Sequence, residues 1–263
     1  AGPVGYIAGT HKIPVVIQEQ NSFPGVTNRL LAKYAVKIFT AFEEADRFLP
    51  PSKTQLTGNP TRGTLTKGEK KSSLNSFNFS ERKPVLLVMG GSGGARTINQ
   101  AIRKNLVKLH HEASLQIIWQ CGSRYYTELA KDIDPVEYPN LRLLAYIDNM
   151  PDAYAAADLV ISRAGASSCS EFMIIGMPSV LVPSPNVAGD HQTQNAQAMA
   201  NAGASVLVRD NEAVSKIPEL VAELINNEER LREMNLAALS LAKPDAAKTI
   251  AKEIFELAKT RFN

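Results

Sequence analysis

Short apolar runs alternate with segments of helical periodicity along most of the chain. The runs fall at residues 14–17, 36–40, 85–89, 115–120, 141–145, 159–162, 179–182 and 205–208. Several are apolar throughout rather than at every second position, and Val85-Leu86-Leu87-Val88 is the clearest. A strand of that kind is buried on both faces, as in a parallel sheet covered by helices. Between runs, Ile98, Ala101, Ile102, Leu106 and Leu109 share one helical face, with Asn105 at its edge. Strand–helix alternation implies right-handed crossovers and an α/β, doubly wound parallel sheet. The six runs from 85 to 208 suffice for one complete nucleotide-binding-type domain. The two or three before residue 62 are too few to close a second sheet, so the first unit reads as incomplete.

Polar punctuation divides the rest. Residues 63–83 hold Lys67, Lys70, Lys71, Arg82 and Lys83 among serines, and read as a polar linker or long surface loop. After Val208 the pattern is helical, over 214–225 and 228–241. Pro244 interrupts it, and Ile250, Ile254 and Leu257 place an apolar stripe on a last helix. The expected units are therefore 1–62, the segment 63–83, a ligand-binding domain 84–243, and a C-terminal helix 244–263 packing back on the first unit.

Composition narrows the function class. The 263 residues are 44% hydrophobic and 21% charged, ordinary for a globular chain and unlike a disordered one. No apolar run approaches the ~18 residues of a spanning helix. A net charge of +3 is too small to argue for nucleic acid, though it suits anionic ligands or an anionic membrane surface. Cys121 and Cys169 make neither a disulfide framework nor a zinc site, which fits reduced thiols in a cytoplasmic protein. Ala1-Gly2-Pro3 opens without a signal peptide or initiator Met, so a longer or processed gene product is expected.

Three stretches carry candidate chemistry. Gly90-Gly91-Ser92-Gly93-Gly94-Ala95 follows a buried strand and opens a helix. Glycines let the backbone approach an anion, and a helix start offers free N–H groups and a partial positive charge. A tight turn without ligand is the bland alternative. A Walker loop is excluded, because Gly94 is followed by Ala95 and Arg96. A dinucleotide fingerprint is weak: Arg96 occupies the third glycine place, and Glu112 precedes the next strand instead of ending it.

The second stretch, Ser162-Arg163-Ala164-Gly165-Ala166-Ser167-Ser168-Cys169-Ser170-Glu171, again joins a strand to a helix. Ser168 and Glu171 have capping-box spacing, which explains both without a ligand. Alternatively this helix start takes a second phosphate or a ribose, with Glu171 on the sugar diol. Two such starts in one domain point to a diphosphate. The third stretch, Asp190-His191-Gln192-Thr193-Gln194-Asn195, offers amides and an imidazole to uncharged sugar hydroxyls.

Upstream, Gln18-Glu19-Gln20-Asn21 and Gly58-Asn59-Pro60-Thr61-Arg62 each follow a strand. Arg62 could clamp a phosphate and Glu19 could act as a general base. A surface arginine and an exposed loop carboxylate are the commoner readings. His110-His111 sits at a helix end, where a cationic imidazole suits the dipole, and reads as structural; Trp119 reads as core.

In this order the six motifs QEQN, GNPTR, GGSGGA, YIDNM, SRAGASSCSE and HQTQNA resemble the MurG family of bacterial cell-wall glycosyltransferases over essentially the whole chain. The resemblance implies a GT-B fold of two Rossmann-like domains, the N-terminal one incomplete here. Residues 1–62 would be the remnant of its acceptor- and membrane-side domain. It implies inverting transfer of GlcNAc from UDP-GlcNAc to undecaprenyl-diphospho-muramoylpentapeptide in peptidoglycan synthesis. The place implied is the bacterial cytoplasm, peripheral on the cytoplasmic face of the inner membrane.

Carried over residue by residue, Gly90, Gly91, Ser92, Gly93, Gly94 and Arg62 meet the UDP diphosphate. Ile147 holds uracil through its backbone. Ala166, Ser167, Ser168, Cys169 and Ser170 supply N–H and hydroxyl groups, and Glu171 takes the ribose diol. Gln192 and His191 read the donor sugar, Asn21 reaches the cleft from the other domain, and Glu19 matches a carboxylate that supports catalysis. Helix starts and Arg62 stabilise the leaving group, so no metal and no cofactor is expected.

Two departures stand out. Gly93 replaces the family's usual Gln, and roughly a hundred residues with a GGTGGH-like loop precede the matching part of the family. Those absent residues would supply the main base, so donor binding without full activity is expected. The alternatives are a non-catalytic UDP-sugar-binding module, a lipid glycosyltransferase acting on diacylglycerol, and a UDP-GlcNAc epimerase. QEQN and GNPTR favour MurG over the lipid enzyme, and only His191 is an acid/base candidate for the epimerase.

Overall fold

A computed structural model describes residues 2–262. The first unit is a parallel sheet in the order β1-β2-β3, with β1 Val15–Glu19, β2 Ala35–Thr40 and β3 Thr54–Leu56. Helix α1 (Gly2–Thr10) precedes it, and α2 (Val26–Leu31) and α3 (Glu43–Asp46) make the crossovers. Ile17, Leu31, Ile38 and Leu49 form its small core. β1 runs two residues past the apolar run because Gln18 and Glu19 pair with Phe39 and Thr40. Hydrogen bonding to a neighbouring strand, invisible to periodicity, carries polar residues into the ladder.

The second unit is a six-stranded parallel sheet ordered β6-β5-β4-β7-β8-β9. Its strands are β4 Val85–Met89, β5 Gln116–Gln120, β6 Leu141–Leu144, β7 Leu159–Ser162, β8 Ser179–Leu181 and β9 Ser205–Leu207. The helices are α4 (Lys70–Ser76), α5 (Arg96–Lys104), α6 (Ser123–Asp132), α7 (Met150–Ala156), α8 (Ala166–Ile175), α9 (His191–Asn201), α10 (Ala213–Ile225), α11 (Glu228–Ser240) and α12 (Ala246–Phe262). β4 is buried at every position. Leu86 and Val88 join the core on one face of the sheet, and Val85, Leu87 and Met89 the core on the other. That explains the unbroken apolar run, since both faces are covered by helices. Asn105 bonds Ala101 O at 2.8 Å and Val214 O at 2.9 Å, tying the end of α5 to α10. α12 returns toward the first unit, where Glu253 pairs with Lys37 of β2 at 3.5 Å.

Two readings of the sequence are corrected here. Segment 63–83 is not a loop: it forms a 3₁₀ turn at Leu65–Lys67 and then α4. Its few apolar residues decide this, with Leu65, Leu74 and Phe79 all buried. Glu69 caps α4 by accepting from Lys71 N and Ser72 N, and Lys70 bonds Asp158 Oδ1 at 2.7 Å. Averaged polarity hid three anchors, each contributing about 1.5–3 kcal/mol by burial.

His110 is likewise not a cation at a helix end. It lies in a π-helical turn, Lys108–Glu112, is 6% exposed, and finds no hydrogen-bond partner on either ring nitrogen. Burial, helped by His111 and Lys83, pushes its pKa below 6.5. A depressed imidazole pKa means that the unfolded chain binds protons the folded one refuses. Its penalty is absent above pH 6.5 and grows as pH falls from there toward the folded pKa. His110→Phe is expected to lessen the drop in melting temperature between pH 7.5 and 5.5. Scanning calorimetry checks this; parallel drops for variant and parent contradict it.

Candidate functional site

The second sheet reverses direction between β4 and β7. From β4 the chain runs outward through β5 to β6, then returns to lay β7 on the other side of β4. The register pairs Met89 with Ser162, so these two strands end side by side. Crevices of this kind collect ligands in open α/β sheets. Both glycine-containing turns leave from here, one into α5 and one into α8. Neither α5 nor α8 has a side-chain cap, which leaves the amides of their first turns available to a ligand.

The glycine loop is shaped by backbone contact. Gly94 adopts φ +73°, and an added Cβ would lie 2.0 Å from Cys121 O. At Gly90 it would lie 2.2 Å from Ala95 N. At Gly93 it would meet nothing within 4 Å, so this position does not need glycine for the loop to form. Gln120, at the end of β5, accepts from Gly90 N and donates to Ala145 O, bracing the loop against the segment after β6.

A cavity of about 390 Å³ opens over these turns. Its walls include Arg62, Gly91, Ser92, Ile147, Ser167, Ser168 and Glu171, all singled out by the sequence. Pro60 and Thr61 stand beside Arg62 in its walls, and Met89, Gln120, Tyr146, Met150 and Tyr154, which sequence reasoning missed as site residues, complete it. Arg62 makes no ion pair among the described residues, and the hydroxyls of Ser92, Ser167 and Ser168 have no protein partner there. Ile147 is buried, while its backbone N–H and carbonyl remain unbonded among the described residues. The cavity thus brings together a cation, free amides, an apolar wall and the Glu171 carboxylate.

The capping-box reading of Ser168 and Glu171 fails. The N-cap of α8 is Gly165, and Glu171 Oε2 instead accepts from Tyr154 Oη at 2.6 Å. Three neighbours, Ala166, Cys169 and Ser170, also fall outside the cavity lining. Cys169 N is spent on Gly165 O, and Cys169 is wholly buried on the core side of α8, where desolvation pushes its thiol up to about 12. Ser170 Oγ donates to Ala166 O and accepts from Asn59. Only the amides of Ala166, Ser167 and Ser168 lead the helix.

The remaining predicted residues form a second cluster at the junction of the units. Glu19, 2% exposed, accepts from Asn21 N (3.0 Å), Asn21 Nδ2 (3.3 Å), Gly25 N (3.0 Å) and Asn28 Nδ2 (2.8 Å). A carboxylate with four donors is occupied in holding its own loop, so its geometry is that of a positioning group and not of a free base. Asn195 of α9 accepts from Ser22 N and Oγ and donates to Asn21 Oδ1 and Ala164 O. Its amide is saturated, which removes it from the sugar-reading set of the third motif. His191 Nδ1 lies 3.2 Å from Phe23 O; a carbonyl only accepts, so Nδ1 carries the proton. Gln192 Oε1 accepts from Ser184 N at 2.8 Å, leaving its Nε2 free of protein partners among the described residues. These residues do not line the cavity under the glycine loop.

Residues 85–250, which contain the whole crevice, match the Glycosyltransferase family 28 C-terminal domain. The chain belongs to glycosyltransferase family 28. Within the family it is 45% identical over 258 residues to the UDP-N-acetylglucosamine--N-acetylmuramyl-(pentapeptide) pyrophosphoryl-undecaprenol N-acetylglucosamine transferase of Salinibacter ruber, covering 98% of this chain and 69% of that enzyme. The enzyme of the same name from Bacteroides thetaiotaomicron is 44% identical, with 98% and 70% covered. The crystal structure of Acinetobacter baumannii MurG superposes with a TM-score of 0.74 at 30% identity, over 97% of this chain and 71% of that one. A Neisseria meningitidis UDP-GlcNAc 2-epimerase bound to UDP-GlcNAc, at 16% identity and TM-score 0.68, shares the fold alone. Family membership makes the chain a hexosyltransferase by class, and its two parallel sheets have the GT-B architecture.

Proposed function

We infer that the chain carries the donor-binding half of an inverting transfer of GlcNAc from UDP-GlcNAc to undecaprenyl-diphospho-muramoylpentapeptide. The observation that carries this reading is the pair of uncapped helix starts on adjacent strand ends, with Arg62 and Glu171 lining the same cavity. The diphosphate takes the two sets of amides and Arg62, the ribose diol takes Glu171, and uracil pairs with the backbone of Ile147. His191 and Gln192 read the sugar from the start of α9, and Asn21 presents the acceptor side.

The chemistry this supports is direct displacement at the anomeric carbon. As the glycosidic bond breaks, negative charge grows on the β-phosphate. Oriented amides and Arg62 stabilise it without reorganising, which lowers the barrier more than water could. The acceptor hydroxyl must also lose a proton. Glu19 has no free lone pair directed at a substrate, so it serves by fixing Asn21. The acceptor being lipid-linked, the enzyme would work peripherally at the cytoplasmic face of the bacterial inner membrane. Among the described residues, no helix is long and apolar enough to cross it.

Calorimetry tests the donor reading. UDP and UDP-GlcNAc are expected to bind, and Glu171→Ala to weaken UDP by about 10- to 100-fold, the value of hydrogen bonds to a charged group. Absence of heat with UDP, or an unchanged affinity in the variant, overturns it.

A further inference from the structure

Tyr154 belongs to none of the six motif stretches that draw attention to this crevice except by proximity, yet it makes the shortest contact to Glu171. Its hydroxyl donates to Glu171 Oε2 at 2.6 Å. The ring is 3% exposed and stands edge-on to Phe172, with centroids 6.0 Å apart at 86°. Tyr154 and Glu171 line the same cavity. Glu171 Oε1 has no partner among the described residues, so one oxygen of the carboxylate is committed and the other is left without a protein donor.

We propose that Tyr154 is a positioning residue that locks Glu171 and thereby makes the site selective for ribonucleoside over 2′-deoxyribonucleoside diphosphates. This rests on the reading that Glu171 receives the ribose diol. A carboxylate free to rotate can turn to whichever hydroxyl remains when one is missing. A carboxylate pinned at Oε2 cannot, so the loss of the 2′-hydroxyl goes uncompensated. The phenol is suited to a permanent donor: burial, then the charge and hydrogen bond of Glu171, hold its pKa well above 10.0. The packing against Phe172 also limits its swing. Tyr154 further links two functions, because α7 follows directly on the uracil-facing segment at Tyr146 and Ile147.

The test is calorimetry of UDP and 2′-deoxy-UDP on the parent chain, Tyr154→Phe and Glu171→Gln. The parent is expected to prefer UDP by about tenfold or more, and Tyr154→Phe to weaken UDP by about five- to tenfold while changing 2′-deoxy-UDP less than about twofold. Retained 2′-deoxy-UDP affinity shows that the variant site is folded. An unchanged UDP preference in Tyr154→Phe, or equal weakening of both ligands, overturns the proposal. If Glu171→Gln itself leaves the preference intact, the ribose reading fails instead; a Glu171→Gln loss with no Tyr154→Phe effect leaves that reading standing and removes the role of Tyr154.

Discussion

Gly94→Ala is expected to destabilise the chain by about 3–5 kcal/mol and to abolish UDP binding, by the combined cost of left-handed backbone strain and overpacking. An alanine methyl would strike main-chain atoms first, Cys121 O at 2.0 Å and Cys121 C at 2.9 Å, with the Tyr125 ring also at 2.9 Å. No rotamer change relieves that. Gly122 stands on the other side at φ +91°, with its own imagined Cβ 2.6 Å from Gly94 Cα. The turns after β4 and β5 therefore interlock through two glycines, and separating them moves the first turn of α5 away from the diphosphate position. Gly93→Ala is the matched control, one residue away in open space, with stability unchanged within about 0.5 kcal/mol. Urea unfolding of both variants, followed by UDP calorimetry, reads the difference. Similar losses at Gly93 and Gly94 would show that loop flexibility in general, not this close approach, governs the site.

That contrast marks where the sequence was informative. Four glycines in one run predict a turn made for an anion, and the turn is there, but the run does not say which glycine bears the geometry. Only the position of Cys121, 27 residues downstream of Gly94, separates Gly94 from Gly93. The strands were legible because β4, β5 and β7 are buried on both faces, which leaves Val85–Met89, Ile117–Trp119 and Leu159–Ile161 apolar without a break. Segment 63–83 was illegible for the opposite reason, its three buried anchors being diluted by lysines and serines. Glu171 was visible from its motif and Tyr154 was not. An isolated tyrosine among alanines reads as core, and its core position is real; what periodicity cannot show is the acceptor waiting at its hydroxyl. Glu19 was visible as a carboxylate beside a strand end, while the four N–H groups that occupy it come from residues whose fold had first to be known.

The junction of the two units makes the other large prediction. Asn195→Ala is expected to cost about 3–5 kcal/mol, the sum of lost hydrogen bonds and of buried groups left unpaired. Asn195 is wholly buried, and its amide serves both units at once. Ser22 N reaches Oδ1 at 2.8 Å and Ser22 Oγ at 3.1 Å, while Nδ2 reaches Asn21 Oδ1 at 3.1 Å and Ala164 O at 3.2 Å. Ser22 is itself 3% exposed, so water does not readily replace the lost acceptor. Asn195→Asp keeps the acceptor but converts both donated bonds into repulsion between oxygens, and should be no better tolerated. The loss should also be directional. Residues 20–25 are tethered to the donor unit by Asn195 and by His191 at Phe23 O, while Asn59 of their own unit bonds both Gln20 O and Ser170 Oγ of α8. Removing the buried tether should speed amide exchange in 20–25 while α10 and α11, which give it no hydrogen-bond partner, keep their protection. Exchange that rises equally everywhere would mean only a globally weaker chain. Exchange confined to the loop would show that the segment bearing Asn21 is held in place by the same helix that presents His191 and Gln192. The two sides of the cleft would then be registered to each other through one amide.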